Sequence, residues 1–347
     1  MTMPKVIITG GMRCTQSVWT LREGFERAGC ETAYVPTTHR VANRKEGKPE
    51  AVAAIAALVA EGASMIVWWQ PQNDLNIVRL AIEAAKAAAR ERGGTVDCVM
   101  QCIDDPLMVS TRAEHGLLGI APLSCFDMAV TCCRDSVPWY ESHGVRAIVG
   151  YPPADDVLHG EAKPAPEFAC DISFVATNSY PRGEFPHTLA TRKEILDAVA
   201  DLGTLHLYGY WKEKRLGWAS CGADYRLRYR GWVHYDTDVP AIYASSRINL
   251  NSHVRPDGRH YLNDRAITCM ASGGFMLCDR VAGIEDIFTD GVDCALWGTL
   301  AELREKAAYY LAHEDERAAI AAEGRRKVLA QFTGQRLALS IIAACRE

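Results

Sequence analysis

The sequence predicts an α/β protein with two parallel β-sheets, each covered by helices. Two observations support this fold class. Short β-branched runs alternate with Ala- and Leu-rich helical stretches in both halves of the chain, and two proline clusters, at 151–153 and 162–166, interrupt the alternation near its middle. Such an alternation places successive strands side by side in parallel, with the helices as crossovers. The proline clusters indicate a linker between two Rossmann-like halves.

The strands of the first half are short apolar runs that end at turn residues. Gly10-Gly11 ends the first run, and Gln70-Pro71 ends the third. We predict strands at 5–9, 32–36, 64–69, 96–103, 128–131 and 146–149. Helices are predicted at 17–28, 50–61 and 77–92, the last closed by Gly93-Gly94.

The second half repeats the pattern after the linker. Strands are predicted at 171–176, 205–208, 248–250 and 275–278. Helices are predicted at 192–201, 239–245 and 264–271, followed by one long helix from Leu300. We therefore expect domains over 1–160 and 161–334, with a last helix at 335–347.

Length and charge exclude several classes of protein. The 347 residues suggest about two domains. With 48% hydrophobic and 23% charged residues, wholesale disorder is excluded. The formal charge of −5, from 38 basic and 43 acidic residues, argues against a nucleic-acid partner held by bulk charge. A nucleotide ligand remains compatible, because it needs only a few local cations.

The cysteines and the apolar runs predict a cytoplasmic protein. The first residues lack the basic and apolar regions of a secretory signal, and no run of 18 apolar residues occurs. The thirteen cysteines include no C-x-x-C pair, and we expect them to be reduced and buried.

Parallel sheets bind ligands beyond the carboxyl ends of their strands. We therefore expect the functional loops at 10–16, 70–74 and 104–105 in the first half and at 177–192, 209–215 and 251–264 in the second. The first strand is followed by Gly10-Gly-Met-Arg13 rather than G-x-G-x-x-G, which argues against a dinucleotide dehydrogenase.

Several blocks occur in a characteristic order in the second half. They are DISFV from Asp171, LYGYW from Leu207, GWV from Gly231, VPAIY from Val239, INLN from Ile248, RAITCMASGG from Arg265, GIEDIF from Gly283 and AYYL from Ala308. In the first half, Asp104-Asp-Pro106 and the stretch 127–144 fit the same series. Together the blocks resemble CgeB-like glycosyltransferases, relatives of the large retaining GT-B group.

The resemblance implies a function for each half. The fold is then α/β with two Rossmann-like domains facing a cleft (GT-B-like). The first domain holds an unknown acceptor, the second holds a nucleotide-sugar, and the last helix crosses back to the first domain. The implied activity is metal-independent, retaining transfer of a hexose in polysaccharide or glycoconjugate biosynthesis. No cofactor is required, the donor is a substrate, and the oligomeric state stays open.

Donor-binding residues are expected in the loops of the second domain. Arg265 opens a helix whose N-terminus is suited to a diphosphate, and Arg182 or Arg192 could neutralise the leaving group. Trp232 and Val233 are suited to a base. The remaining donor candidates are Tyr208, Gly209, Asn251, His253, Gly273 and Gly274. Each also has a structural interpretation, such as a core aromatic residue, a solvated charge or a glycine helix cap.

Thr268 departs from the pattern of the family that the sequence resembles. The family's glutamate in this block, which in the wider group bonds the ribose hydroxyls, falls on Thr268. A threonine offers one hydroxyl instead of a carboxylate with two acceptor oxygens. Donor binding is then weaker, arranged differently or lost.

The acceptor side is expected in the first domain. Asp104 and Asp105 follow a strand and are candidates for a catalytic base or for acceptor hydroxyl contacts, with turn chemistry as the alternative. Gly11, Arg13, Gln70 and Asn73 occupy comparable strand ends. No histidine lies where the wider group often carries one, so that role is not transferred.

An Asp-x-Asp sequence at Asp236-Thr-Asp238 resembles a metal–diphosphate motif of another architecture. It precedes a helix with Pro240 in its first turn, and we predict that it caps that helix. We therefore expect no required metal.

Two alternatives to a transferase stay open. A nucleotide-sugar epimerase with the same architecture would consume donor without an acceptor. A non-catalytic nucleotide- or partner-binding homologue, which Thr268 favours, would bind without turnover.

Overall fold

The computed structural model describes residues 3–11, 15–41, 44–69, 75–102, 123–176, 188–211 and 217–347. The chain divides into two compact units. Unit 1 comprises Met1–Pro153 and Thr333–Glu347, and unit 2 comprises Ala154–Phe332. The sequence-based boundaries lie after residues 160 and 334, whereas the structure divides the chain after 153 and 332. The second proline cluster therefore belongs to unit 2.

Unit 1 contains a seven-stranded sheet within the described residues, in the order β3-β2-β1-β4-β5-β6-β7. All neighbours pair in parallel except β2 and β3, which are antiparallel. The strands are β1 (Lys5–Gly11), β2 (Glu31–Val41), β3 (Arg44–Gly47), β4 (Met65–Trp69), β5 (Asp97–Cys102), β6 (Met128–Thr131) and β7 (Arg146–Val149). The short edge strand β3 is not predicted from the sequence, because RKEG lacks an apolar pattern.

The helices of unit 1 cover both faces of this sheet. They are α1 (Thr15–Arg27), α2 (Pro49–Ala60), α3 (Leu75–Glu91), α4 (Val137–Ser142) and α10 (Gly334–Arg346). Helices α2 and α3 cover the face that carries Ile66 and Trp68. Helices α1 and α10 cover the face that carries Val67 and Trp69. Because β4 is buried on both faces, its run MIVWW is apolar throughout.

Helices α1 and α10 approach each other closely through two glycines. A Cβ on Gly24 would overlap the carbonyl group of Gly334, and a Cβ on Gly334 would overlap the carbonyl oxygen of Thr20. Glycine at both positions therefore lets the two backbones touch. This contact holds the C-terminal helix on the fold of unit 1.

Unit 2 contains a six-stranded sheet within the described residues, in the order β10-β9-β8-β11-β12-β13. Every pairing is parallel. The strands are β8 (Cys170–Val175), β9 (Leu205–Tyr208), β10 (Tyr229–Gly231), β11 (Ser246–Asn251), β12 (Met276–Asp279) and β13 (Ala295–Trp297). The two edge strands span three residues each, which is too short for a period-2 pattern to predict β13.

Unit 2 contains five α-helices in the described part of the chain, of which three lie between strands and two follow β13. They are α5 (Arg192–Val199), α6 (Asp238–Ser245), α7 (Asp264–Ala271), α8 (Leu300–Ala312) and α9 (Glu314–Gln331). Thr191 and Glu194 form a reciprocal capping box that begins α5, and Thr299 caps α8. The core between sheet and helices includes Phe174, Trp218 and Trp297, all nearly inaccessible to solvent.

The predicted helix from Leu300 begins at that residue, but it ends at Ala312 and a second helix follows. The helix breaks at His313, whose backbone has φ −113° and ψ 77°. The His313 ring stacks on Tyr309 at 3.8 Å between centroids, and its Nδ1 lies 2.7 Å from the Tyr309 carbonyl oxygen. Three acidic residues follow in the first turn of α9, where they favour a new helix N-terminus.

The cysteines within the described residues are all free. They are buried except Cys125 and Cys345, which are partly exposed. Most of them therefore act as small apolar side chains. In the described part of the chain, no helix combines the length and hydropathy needed to cross a bilayer.

Candidate functional site

The carboxyl edge of the unit 2 sheet carries a network of buried polar side chains. Asn251 ends β11, Ser252 and His253 follow it, and Asp279 ends the neighbouring strand β12. All four are at least nine-tenths buried. Strands β11 and β12 pair in parallel with Asn251 opposite Cys278, so the two strand ends meet at one edge.

His253 and Asp279 form a buried pair. The imidazole Nδ1 of His253 lies 2.7 Å from Oδ1 of Asp279, and the backbone N–H of His253 donates to both carboxylate oxygens at 3.0 and 2.8 Å. The other ring nitrogen, Nε2, is buried without a hydrogen-bond partner among the described residues. The carboxylate therefore fixes the ring orientation, and Nε2 keeps an unused hydrogen-bonding position.

Asn251 and Asn263 join the end of β11 to the start of α7. Asn251 Nδ2 donates to Asn263 Oδ1 at 3.1 Å, and Asn263 Nδ2 donates to Asn251 Oδ1 at 3.2 Å and to the Ser252 carbonyl at 3.1 Å. Asn263 is also the N-cap of α7, since its Oδ1 accepts the backbone N–H of Ala266. One amide pair thus positions both the strand end and the helix.

Arg265 lies on the first turn of α7 and is partly buried. Its Nε donates to Asn251 Oδ1 at 3.3 Å, and its NH2 group donates to the Ser252 carbonyl at 3.1 Å. Both partners are neutral. Arg265 forms no ion pair with Asp264 or Glu285, because no described carboxylate lies within 4 Å of its guanidinium.

Other arginines of the same region are neutralised by carboxylates. Arg255 pairs with Asp257, Arg259 pairs with Asp286, and Arg280 pairs with both Glu285 and Asp290. Arg265 therefore differs from them in presenting a positive charge without an ion pair among the described residues. An anion bound at this edge would find that charge uncompensated.

The backbone amides at the N-terminus of α7 are less available to an anion than the sequence suggests. The N–H of Arg265 donates to Asp264 Oδ1, and the N–H of Ala266 donates to Asn263 Oδ1. Two of the free amides of the first turn are therefore occupied by side chains. An anion here would bind the guanidinium of Arg265 rather than these two amides.

Thr268 points into the interior of unit 2. Its side chain is buried, and its hydroxyl donates to the carbonyl oxygen of Asp264 at 3.0 Å. Tyr235 and Tyr243 lie nearby, and burial raises the pKa of both hydroxyls. The position of the family's glutamate is thus part of a neutral, buried hydroxyl cluster in this chain.

Four predicted residues lie at the carboxyl ends of β9 and β10. Tyr208 is buried, its hydroxyl lies 3.4 Å from His206 Nδ1, and burial raises its pKa. The Gly209 N–H donates to the Gly231 carbonyl at 2.9 Å, which joins the two strand ends. Trp232 is 53% exposed and packs edge-on against His234, with Val233 partly buried beside it. Trp232 therefore exposes an aromatic surface at this end of the sheet.

Gly273 and Gly274 lie at the opposite end of the sheet from His253. They join the C-terminus of α7 to the start of β12, and Gly273 has φ +77°. The N–H groups of Gly273 and Gly274 bond to the carbonyls of Met270 and Cys269. The two glycines close the helix in a turn that needs a left-handed residue.

Arg192 begins α5, which follows β8 along the chain. Its guanidinium carbon lies 5.7 Å from the centroid of the Phe174 ring. Gly11 ends β1 in unit 1. The remaining candidates, Arg13, Gln70, Asn73, Asp104, Asp105 and Arg182, lie outside the described residues.

Among the described residues, one group of side chains has the composition of a metal site. Ligand atoms of His253, Cys278 and Asp279 all lie within 4.8 Å of one another. Hydrogen bonds account for this proximity, because His253 Nδ1 and its backbone N–H both bond to Asp279. Burial and the Asp279 charge also raise the pKa of Cys278, which keeps it a neutral thiol.

The Asp236-Thr-Asp238 sequence does not cap α6 through its side chains. Thr237 is the N-cap residue without a side-chain bond to the helix, and Asp238 is the first helical residue. The Asp238 carboxylate instead accepts the His234 N–H at 2.9 Å, which holds the preceding turn. The prediction of side-chain capping is therefore wrong in its geometry.

Asp279 and Asn263 are the residues of this network that the sequence analysis missed. Asp279 directly follows the predicted strand 275–278. The expectation that ligands bind beyond the carboxyl ends of parallel strands would therefore have identified it. Asn263 directly precedes the predicted helix 264–271, which is an N-cap signal.

The part of the chain that forms this network is similar to a known protein family. Residues 191–343, less than half of the chain, match a family model described as "Glycosyl transferase-like". No curated protein sequence matches the chain. The match covers Asn251, His253, Arg265 and Asp279, and therefore the whole polar network of unit 2.

Solved structures of similar fold extend over the whole chain. Anabaena Alr3699/HepE, solved with UDP and glucose, is 13% identical with a TM-score of 0.64, and 99% of each chain is covered. Sucrose-phosphate synthase from Thermosynechococcus elongatus is 13% identical with a TM-score of 0.62, covering 99% of this chain and 98% of that one. The lipopolysaccharide galactosyltransferase WaaB is 13% identical with a TM-score of 0.57, covering 99% and 100%.

At this identity the structural similarity shows the fold alone. It confirms the predicted fold class, α/β with two Rossmann-like domains as in GT-B glycosyltransferases. Together, the family match and the fold support the prediction that the chain is an enzyme, a glycosyltransferase.

Proposed function

We propose that this protein transfers a sugar from a nucleoside-diphosphate donor to an acceptor, and that unit 2 binds the donor at the carboxyl edge of its sheet. The observation that carries the proposal is Arg265. It is a partly buried arginine, fixed by two neutral groups and without an ion pair among the described residues. A diphosphate supplies the negative charge that this guanidinium lacks.

The neighbouring polar groups suit the rest of such a donor. His253 Nε2 has no partner among the described residues, and with the Nδ1 proton directed at Asp279 it can accept a hydrogen bond from a sugar hydroxyl. The exposed indole of Trp232 offers an aromatic face to a base. These residues lie on loops that a parallel sheet brings to one edge.

In the proposed mechanism, Arg265 stabilises charge that develops as the sugar leaves. Departure of the diphosphate concentrates negative charge on the bridging oxygen and leaves a cationic sugar. Because Asn251 and Ser252 hold the guanidinium in a fixed orientation, stabilising that charge would need little rearrangement. We propose that the reaction is metal-independent and retaining, as in the CgeB-like enzymes that the sequence resembles. The proteins of similar fold include one solved with UDP and glucose.

A thermal-shift panel with UDP, GDP, dTDP, CDP, ADP and NAD, each with and without magnesium, tests this function. A ligand at 100 times its dissociation constant adds about 2.7 kcal/mol of stability. At about 2–4 °C per kcal/mol, the expected shift is about 5–10 °C. We expect a shift with one nucleoside diphosphate, independent of magnesium. A shift with NAD alone, or with none of the ligands, would contradict the proposal.

A nucleotide-binding protein without transferase activity is the second candidate, and Thr268 favours it. The Thr268 hydroxyl is buried and donates to the Asp264 carbonyl. It is therefore less available for hydrogen bonds to ribose hydroxyls than a glutamate carboxylate would be. Nucleotide binding without release of nucleoside diphosphate, with any acceptor, would identify this case. Donor consumption that yields an isomeric nucleotide-sugar without an acceptor would instead identify an epimerase.

A further inference from the structure

The outer edge of the unit 2 sheet carries the most exposed large apolar side chain among the described residues. Leu227 is 86% exposed and lies near the end of a short helical turn, Ala223–Arg228, that leads into the edge strand β10. Tyr210, which follows β9 along the chain, is 45% exposed. A single exposed leucine is common on protein surfaces, so the residues around it decide whether it has a function.

Three arginines flank Leu227 in the chain. They are Arg226, Arg228 and Arg230. None of them forms an ion pair with a carboxylate of the described residues, and the Arg230 guanidinium donates instead to the Leu227 carbonyl oxygen at 2.7 Å. Residues 223–232 contain these three positive charges and one negative charge, that of Asp224. The edge is therefore locally positive, although the whole chain has a formal charge of −5.

Arg226 packs on the aromatic residues of this edge. Its guanidinium carbon lies 4.9 Å from the centroid of the Trp211 ring and 5.7 Å from the centroid of the Tyr229 ring. The two ring centroids are 5.2 Å apart, and the Tyr229 hydroxyl donates to the Gly209 carbonyl at 2.8 Å. These contacts hold the exposed charge of Arg226 in place without an acidic partner.

The combination of positive charge and an exposed aliphatic side chain fits an anionic lipid surface. Arginines attract lipid phosphates, and a leucine between them can enter the apolar region below the headgroups. Tyrosines such as Tyr210 are typical of residues at headgroup level. The local charge is complementary to such a surface, whereas the net charge of −5 opposes attraction of the whole chain to it.

Two other partners fit this edge less well. Single-stranded nucleic acids stack their bases on exposed aromatic faces, but Trp211 and Tyr229 are partly buried and contact Arg226 and each other. A nucleic acid also has no apolar interior for Leu227. A second copy of the chain could pair with β10 strand to strand, but this would bring like charges of the two copies together at the new pairing.

We propose that unit 2 docks on an anionic lipid surface through Leu227 and the arginines that flank it, with the leucine inserted between the headgroups. Docking of this kind is peripheral and involves no membrane-spanning helix. The proposal does not depend on the transferase function, because it uses none of the residues of the polar network around His253 and Arg265.

Co-sedimentation of the full chain with large unilamellar vesicles tests the docking. The vesicles contain phosphatidylcholine alone or phosphatidylcholine with about 30 mol% phosphatidylglycerol, and we expect about tenfold or stronger partitioning onto the anionic ones. Raising NaCl from about 0.1 M to about 1 M, which shortens the Debye length from about 10 Å to about 3 Å, should release most of the protein. An excess of glycerol 3-phosphate should not, because a free headgroup has no apolar region for Leu227.

Two substitutions of Leu227 test the apolar contact in opposite directions. Leu227→Ser should weaken binding to anionic vesicles several-fold, and Leu227→Trp should strengthen it, because an indole prefers the membrane interface. A gain of binding does not result from a loss of folding. Val292→Ser is the matched control, because Val292 is an aliphatic residue of unit 2 that is 51% exposed. It should leave vesicle binding unchanged.

A double substitution, Arg228→Gln with Arg230→Gln, tests the charge and leaves Arg226 on its aromatic rings. It should weaken binding to anionic vesicles at least tenfold. The matched control is Arg304→Gln with Arg326→Gln. It removes the same two charges from exposed arginines of α8 and α9, which pair with Asp201 and Glu323. The control should bind like the wild type, and thermal unfolding should confirm that both double variants are folded.

Three outcomes would overturn the docking proposal. The first is equal binding to neutral and anionic vesicles, or binding to neither. The second is an equal loss in the double variant and its control, which would assign the attraction to net charge instead of this edge. The third is binding to poly-L-glutamate without binding to vesicles, which would indicate an acidic protein partner.

Discussion

His253 and Asp279 lie 26 positions apart in sequence, and they share three hydrogen bonds at the end of two neighbouring strands. Both side chains are almost fully buried. The carboxylate accepts the backbone N–H and the ring Nδ1 of the same histidine. This pair therefore fixes the loop that leaves β11 as well as the direction of the imidazole.

Asp279→Asn should destabilise the protein and weaken nucleotide binding. An asparagine turns one acceptor oxygen into an NH2 group, which then faces donors of His253. We expect the free energy of unfolding to fall by about 1–3 kcal/mol in urea titrations. Asp286→Asn is the control, because that carboxylate is 54% exposed, and it should change stability by about 0.5 kcal/mol or less. Equal effects in the two variants would contradict the role of the pair.

Arg265→Ala should lower turnover at least tenfold, which corresponds to about 1.4 kcal/mol. The reason is the loss of the uncompensated charge at the proposed diphosphate site. Arg265→Lys should recover part of the activity, because an ammonium keeps the charge but loses the planar donor geometry. Initial rates of nucleoside-diphosphate release measure both effects.

The matched control for Arg265 is Arg304→Ala. Arg304 is an exposed arginine of α8 whose guanidinium pairs with both oxygens of Asp201. Its removal changes the net charge by the same amount without touching the polar network. Turnover should stay at the wild-type level. An Arg265→Ala variant as active as this control would remove Arg265 from the mechanism.

Because of His159, the free energy of unfolding should decrease as the pH is lowered from about 6.5 to 4. Its Nδ1 accepts the Asp155 N–H, its Nε2 has no partner among the described residues, and burial lowers its pKa to about 4. The unfolded histidine titrates near pH 6.5, so between these values the unfolded chain binds a proton that the folded chain excludes. The contribution of His159 to the free energy of unfolding is therefore fully present above pH 6.5 and is lost as the pH falls toward 4.

The expected loss between pH 7 and pH 5 is about 2 kcal/mol for the wild type, from the shift of the His159 pKa. Urea unfolding at the two pH values measures it. His159→Gln cannot gain a proton, so its stability should depend less on pH over this interval. The same slope in both proteins would show that His159 is not the group responsible.

Gly24→Ala should destabilise unit 1 although alanine favours helices. A Cβ at Gly24 would overlap the backbone of Gly334, so α1 and α10 would have to separate. Overpacking of this kind costs about 1–3 kcal/mol and outweighs the gain of about 1 kcal/mol in helix propensity. Gly298→Ala is the control, because its Cβ would meet only Glu302 Oε2 at 3.6 Å. Thermal unfolding should separate the two variants by several degrees.

Much of the fold follows from local pattern. The predicted strands of both halves appear in the structure within one or two residues at most ends, because a buried parallel strand needs a continuous apolar run. Strand β3 was missed because RKEG has no apolar pattern, and β13 was missed because its three residues are too few to show one. The break at His313 was missed because the flanking sequence favours helix on both sides.

The candidate site was predictable only in part. The rule that ligands bind at carboxyl ends of strands identifies Asn251, His253 and the start of α7. It does not identify how Asn251, Asn263 and Arg265 bond to one another across 12 to 14 positions. The hydrogen-bonding state of each side chain depends on neighbours that only the packing of β11, β12 and α7 brings into contact.

The sequence alone determined the two α/β halves, the edge of each sheet where loops gather, and the absence of a carboxylate at Thr268. Periodicity and residue type are sufficient for these features because they depend on local geometry. The tertiary structure decided that the Thr268 hydroxyl donates to the Asp264 carbonyl and that Arg265 has only neutral described partners. It also decided that the side-chain polar atoms of Trp69 and Gln101 are buried without hydrogen-bond partners among the described residues. Burial and pairing set the free energy of a polar group, and both depend on residues distant in the chain.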